Sequence, residues 1–168
     1  MSVQTLPAEL EKGFKLSKDK GVLAGFPMLD FKVTLVDGAY HAVDSSAVAF
    51  EIAAKSAYRQ TIPKAGPQLL EPIMKMEVEV PADFQGPVTG ELNKRRGLIV
   101  STETVGNIST IIAEVPLAET FGYSTDLRSM TQGQGVFTME FSKYRATPGN
   151  IQKEIVEERK KAELAAAK

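Results

Sequence analysis

A chain of 168 residues, 43% hydrophobic and 24% charged, has ordinary globular composition and suits one domain or two small ones. It has no Cys and one His, which excludes a disulfide framework and argues against a zinc or iron-sulfur centre, and a net charge of -1 excludes a global basic field, so any contact with RNA must be local. No apolar run approaches the ~20 residues that cross a bilayer, and the opening Met-Ser-Val-Gln-Thr lacks the basic end and apolar core of a signal peptide, so a cytoplasmic protein with no membrane partner is expected.

Residues 7–20 read as a helix, with Pro7 in its first turn, Leu6, Leu10 and Phe14 stacked along one side, and Gly21 as its stop. Gly25-Phe26-Pro27 breaks that period. Residues 28–36 then alternate, with Leu29, Phe31, Val33 and Leu35 on one face and Asp30, Lys32 and Thr34 on the other, which predicts a strand with one wet face. Asp37-Gly38 signals a turn into a short loop that carries His41 near its tip, and Asp44, Ser45 or Ser46 can cap the helix predicted over 45–60. The Ala-rich stripe of that helix (Ala47, Phe50, Ala54, Ala57) is expected to lie close on the preceding strand, and Glu51 to pair with Lys55. Pro63 and Gly66-Pro67 mark a linker, with a domain boundary near residue 68.

The second half begins with Met74, Met76, Val78 and Val80 alternating with Lys75, Glu77 and Glu79, a strand that Pro81 ends. Phe84, Val88 and Leu92 mark a helix that stops at Gly97. Leu98–Val105 and Ile108–Val115 form a hairpin through Gly106-Asn107. Leu117–Met130 reads as a helix with a weak point at Gly122, and Phe137, Met139 and Phe141 as the buried face of a last strand. This order is the ferredoxin-like βαββαβ plan of an α+β protein. Asn150 is expected to cap a final helix that docks through Ile151 and Ile155 and frays over 162–168. The predicted domains are 1–68 (helix, strand, loop, helix), 69–147 (ferredoxin-like) and the C-terminal helix 148–168.

Catalytic signals are weak. No Gly-x-x-x-x-Gly-Lys-Ser/Thr loop occurs to cradle a phosphate, and Gly133-Gln134-Gly135 is too short for a dinucleotide fingerprint and suits a turn. His41, Asp44 and Ser45 are the residue types of a hydrolytic triad, but Asp and Ser sit where a helix cap is wanted, so display of the loop explains them better than catalysis. An acylphosphatase-like site would need an arginine after the first ferredoxin strand, where Ala82-Asp83-Phe84-Gln85 offers none. A histidine on a protruding loop can donate to phosphate or stack on a base. Lys94-Arg95-Arg96 and the strip Lys12, Lys15, Lys18 and Lys20 are local basic candidates, with a solvated face or a helix C-terminus as the plain alternative.

Gly21-Val22-Leu23-Ala24-Gly25-Phe26-Pro27 and Asp37-Gly38-Ala39-Tyr40-His41, continuing through Val43-Asp44-Ser45-Ser46 to Ala49-Phe50, resemble domain IV of bacterial translation elongation factor G. Leu69-Leu70-Glu71-Pro72-Ile73-Met74-Lys75 resembles the opening of domain V of that family. So do Gly90 to Gly97, Glu114-Val115-Pro116-Leu117, Phe121-Gly122-Tyr123, Leu127-Arg128-Ser129, Thr131-Gln132-Gly133 and Thr138-Met139-Glu140-Phe141. The resemblance spans about residues 6 to 156. It implies a partial domain IV with the α/β fold of a small-subunit ribosomal protein, a ferredoxin-like domain V, and a final helix packing back on domain IV. It also implies binding to the ribosome, tRNA and mRNA: the loop Gly38, Tyr40, His41, Asp44, Ser45 and Ser46 would act as a non-catalytic wedge in the decoding region during translocation, and Lys94, Arg95, Arg96 and Arg128 could face large-subunit rRNA.

In that family GTP and Mg belong to a nucleotide-binding domain outside the resemblance, so no cofactor is expected in this chain and no enzyme activity of its own. The first strands of domain IV are outside it too, so the strand at 28–36 is expected to be completed by the remaining domains or by a second copy. Ala42 replaces the acidic residue usual after the tip histidine, Gln134 stands where Arg is usual, Pro87 interrupts the start of the domain V helix, and Lys143 stands where His is common. These departures keep open a free-standing ribosome- or protein-binding module, or a recycling or rescue paralogue, without translocase activity.

Overall fold

The computed structural model describes residues 7–166, so the predicted contact of Leu6 lies outside the described residues. The described chain forms two compact units, one holding the chain up to Leu69 together with the stretch from Pro148, the other Leu70–Thr147.

In the first unit, α1 (Ala8–Lys18) starts directly after Pro7 and carries Glu9 and Glu11 in its first turn and Lys15 and Lys18 in its last, each sign at the dipole end that favours it. α2 (Ala47–Thr61) is capped by Ser46, whose Oγ accepts from the Ala49 amide at 3.1 Å. The two helices meet at Gly13, where an added Cβ would stand 2.6 Å from Ala54 Cβ and 2.7 Å from the Glu51 carbonyl oxygen. Glu51 ties them further, pairing with Lys55 Nζ at 2.6 Å along α2 and with Lys12 Nζ of α1 at 2.9 Å. Lys55 first, and then Lys12, hold its carboxyl below the usual carboxylate range.

The small-residue side of α2 therefore lies against α1 and not against a strand. Residues 28–36 form no strand at all, and Asp30 takes φ 53° within the predicted run. An extended segment becomes a strand only when a neighbour answers its amides, and the one sheet among the described residues is built wholly from the second unit. The alternation is half realised: Phe31 and Val33 are partly buried, whereas Leu29 and Leu35 are exposed. Tyr58 of α2 anchors the segment, donating from Oη to Met28 Sδ at 3.2 Å and meeting the Phe31 ring edge-on at 6.1 Å between centroids.

The final helix, α5 (Gly149–Ala166), belongs to the same unit. Gln152 Oε1 accepts from the Leu69 amide at 2.8 Å, and the Arg159 guanidinium lies 4.6 Å from the Phe26 ring centroid. Asn150 is already inside the helix, whose first carbonyl, that of Pro148, accepts from the Gln152 amide at 2.9 Å. The helix runs through Ala166 where fraying is expected, because Ala, Glu, Lys and Leu cost little helical free energy even when exposed; the remaining two residues lie outside the described ones.

The second unit has the ferredoxin-like plan, α+β as the sequence predicts. Its elements are β1 (Leu70–Pro81), α3 (Gln85–Lys94), β2 (Leu98–Val105), β3 (Ile108–Pro116), α4 (Tyr123–Met130) and β4 (Val136–Ala146), with an antiparallel sheet in the order β2-β3-β1-β4. Met76, Val78 and Val80 of β1 and Ile111, Ala113 and Val115 of β3 face Val88 and Leu92 of α3 and Tyr123 and Leu127 of α4. Pro87 does not interrupt α3, because it occupies the first turn, where an amide has no intrahelical partner.

Two expectations fail here. Residues 117–130 are a short 3-10 turn (Leu117–Glu119) and then α4, separated by Gly122 at φ 77°. On β4 only Phe137 joins the core, meeting Tyr123 at 5.1 Å, while Met139 and Phe141 stay 41% and 54% exposed. Their register partners, Met76 and Met74, show that they point to the helix side, but β4 is an edge strand beyond the helices' cover.

Gly13→Ala should lower the stability of the first unit by up to about 2 kcal/mol in urea unfolding, since overpacking costs about 1–3 kcal/mol and the gain in helix propensity is only about 1 kcal/mol. Tyr123 Oη is buried without a hydrogen-bond partner among the described residues, and burial pushes its phenol from 10.0 to about 12. The unfolded chain therefore gives up this proton first as pH rises, so the stability contributed is intact below pH 10 and lost towards pH 12. Tyr123→Phe should keep neutral-pH stability and flatten that alkaline decline, measured by urea unfolding on either side of the window.

Candidate functional site

The loop from Asp37 to Ser46 is built from short local hydrogen bonds. Asp37 Oδ1 accepts from the Gly38 amide at 2.8 Å. The His41 carbonyl accepts from the Ser45 amide at 2.9 Å and from the Asp44 amide at 3.2 Å, while the His41 amide donates to Ser45 Oγ at 2.8 Å. His41 and Ser45 thus close a turn from both sides, and Ser46 next to it opens α2. Gly38 is not among the positive-φ glycines, so the chain reverses at Ala42–Asp44 and not at Asp37-Gly38. Val43 at the apex is 94% exposed and Tyr40 72%, and the His41 side chain is exposed at the base of the turn.

The residue types of a triad do not form one. Ser45 Oγ is engaged by the backbone amide of His41, and Asp44 contributes its own amide to the turn. Among the described residues no group of three His, Asp or Glu could hold a metal ion. The loop is a turn closed by local hydrogen bonds, with Val43 exposed at its apex.

The basic candidates divide into two kinds. Arg95 donates from Nε to Glu91 at 2.8 Å and from Nη1 to the Glu119 and Phe121 carbonyls at 2.5 and 3.1 Å, pairs through Nη2 with Asp126, and lies over the Tyr123 ring. Arg96, in the left-handed region at φ 60°, grips Glu71 with both Nη atoms at 2.5 and 3.1 Å. Burial disfavours the charge on Arg95 most, yet Glu91 and Asp126 together raise its pKa; on Arg96 the bond to Glu71 leads and the direction is the same. Both guanidiniums are spent on holding α3 to β1, α4 and the turn before α4. Lys94 and Arg128 are exposed, and Lys94 pairs loosely with Glu91 at 3.7 Å. The sequence signal for the difference was spacing: Glu91 lies four residues before Arg95, whereas Glu71, Glu119 and Asp126 are reached only through the fold.

The family described as "Elongation factor G, domain IV" matches residues 4–66, and that described as "Elongation factor G C-terminus" matches residues 68–155. The chain belongs to the elongation factor G family. An elongation factor G of Rhodopirellula baltica is 56% identical over 98% of this chain and 24% of its own length. Elongation factor G 2 of Trichodesmium erythraeum is 55% identical over 95% of the chain and 23% of its own. A crystal structure of a Thermus thermophilus protein matches with a TM-score of 0.82 at 41% identity, covering 95% of this chain and 25% of that one. The chain thus spans about a quarter of the length of the elongation factor G relatives it matches. No helix among its described residues is long and apolar enough to cross a membrane.

Ser45→Ala should remove the side-chain acceptor that holds the His41 amide and leave the Ser46 cap in place. The expected result is faster hydrogen exchange at the His41 amide with the melting temperature of the chain nearly unchanged.

Proposed function

We propose that this chain works as the domain IV and domain V portion of an elongation factor G and promotes movement of tRNA and mRNA through the ribosome without making or breaking bonds itself. In this reading residues 1–68 are the domain IV part, 69–147 domain V, and 148–168 the helix that returns to domain IV, all acting in the cytoplasm. The observation that carries it is the doubly closed turn between His41 and Ser45, which holds an exposed apex on the N-terminus of α2. Such a turn fixes the backbone between His41 and Ser45 and leaves His41 and Tyr40 exposed to a ligand, which suits a wedge against backward movement of tRNA. GTP and Mg act in the part of the relatives that this chain does not span, and Lys94 and Arg128 are the cations left to meet large-subunit rRNA.

The test is a chimaera in which this chain replaces the matching quarter of the Rhodopirellula baltica factor. His41→Ala in that chimaera should slow single-turnover tRNA movement roughly tenfold or more, on the order of 1.4 kcal/mol in the barrier, and leave GTP hydrolysis within about twofold. Equal loss of both rates would remove the wedge reading.

A further inference from the structure

A second polar surface lies in the first unit, at the other end of α2 from the loop. Lys20, Arg59, Arg159 and Lys160 line a concavity of about 320 Å3 floored by residues 21–25, with Glu163 as its carboxylate. Arg59 is two residues before the end of the 15-residue α2, so about 20 Å of helix separates this place from the Ser46 cap. None of the four cations belongs to an ion pair among the described residues, unlike Arg95 and Arg96.

The floor is well ordered by its own backbone. The Gly21 amide donates to the Phe26 carbonyl at 2.9 Å, the Gly25 amide to Gly21 at 3.1 Å, and the Met28 amide to Lys18 at 2.7 Å. Gly25 takes φ 74° to close this loop. The Arg159 guanidinium is placed by the Phe26 ring beneath it and belongs to no ion pair among the described residues, so its donors can serve an anion. Four cations and the single carboxylate of Glu163 line the concavity, with Asp19 beside its rim, so its lining keeps an excess of positive charge in a chain of net charge -1.

We propose that this concavity is a phosphate-binding site for the backbone of single-stranded or looped RNA, separate from the loop around His41. The cations are exposed and the concavity is open, so it cannot enclose a small ligand, but it can seat one or two phosphates of a polyanion that passes over it. That the polyanion is RNA rests on the ribosomal reading above; the anion chemistry does not.

The test uses the whole chain and a short oligouridylate, with inorganic pyrophosphate as a second probe. Oligouridylate should bind with a salt-dependent affinity and shift the amide signals of residues 21–25. Arg59→Gln with Lys160→Gln should weaken binding roughly tenfold and reduce the slope of log affinity against log salt by about 1.4, or about 0.7 for each phosphate contact removed. Lys20→Gln with Arg59→Gln should do the same, and both pairs should keep the parent melting temperature. Parental affinity and slope in both double variants would overturn the site. Pyrophosphate binding without oligouridylate binding would overturn the assignment to RNA and leave a free-phosphate site. Either result is independent of the His41 experiment, which reads tRNA movement alone.

Discussion

β1 exchanges hydrogen bonds with β3 from Ile73 to Pro81 and with β4 from Leu70 to Glu79, so both of its edges are occupied along nearly its whole length. Every other part of the second unit is placed by reference to it. Met76, Val78 and Val80 point to one side and define where α3 and α4 can bury their apolar faces. At its start Glu71 receives the fork of Arg96, and Arg96 is held in a left-handed conformation that turns α3 back toward β2. Gly97 follows because a Cβ there would stand 2.6 Å from the Leu92 carbonyl. A basic pair at the end of a helix thus becomes the clasp of the unit.

The first unit is organised by close contact between helices. Its described part has no sheet, and its stability comes from the Gly13–Ala54 approach, the Glu51 ion pairs and the Tyr58 contacts that hold residues 28–31. What this arrangement offers to function is the position of the ends of α2. One end carries the closed turn of His41 and Ser45, and the other carries Arg59 beside the loop 21–25 and α5. A single helix sets the distance between an apolar apex and a basic hollow.

Most of the second unit was legible from the chain, since an antiparallel strand with one wet face writes its period into the sequence. Met74 to Val80 and the hairpin through Gly106-Asn107 are cases where local pattern and tertiary partner agree. Pattern misleads where the partner decides. Residues 28–36 alternate as cleanly as β1 but meet no second strand, and Met139 and Phe141 have the right period on an edge that no helix covers. At the loop, the types of residue were evident, but the division of work between Ser45 and Ser46 depends on which amide each oxygen reaches. Arg95 and Arg96 read as surface charge because, apart from Glu91 four residues before Arg95, their carboxylate partners are brought in from distant parts of the chain.

The first unit is discontinuous, since α5 joins it only after the whole of Leu70–Thr147 has intervened. A polypeptide is made from its N-terminus, so the ferredoxin-like unit has all its strands as soon as residue 147 has been added, while the unit begun first still lacks a helix. The order of completion during synthesis is therefore the reverse of the order of initiation. Until α5 arrives, Phe26 lacks the guanidinium that covers it and the Leu69 amide lacks its acceptor. Closing the first unit therefore requires contacts between parts of the chain that the whole of Leu70–Thr147 separates, a long-range closure that the second unit does not need.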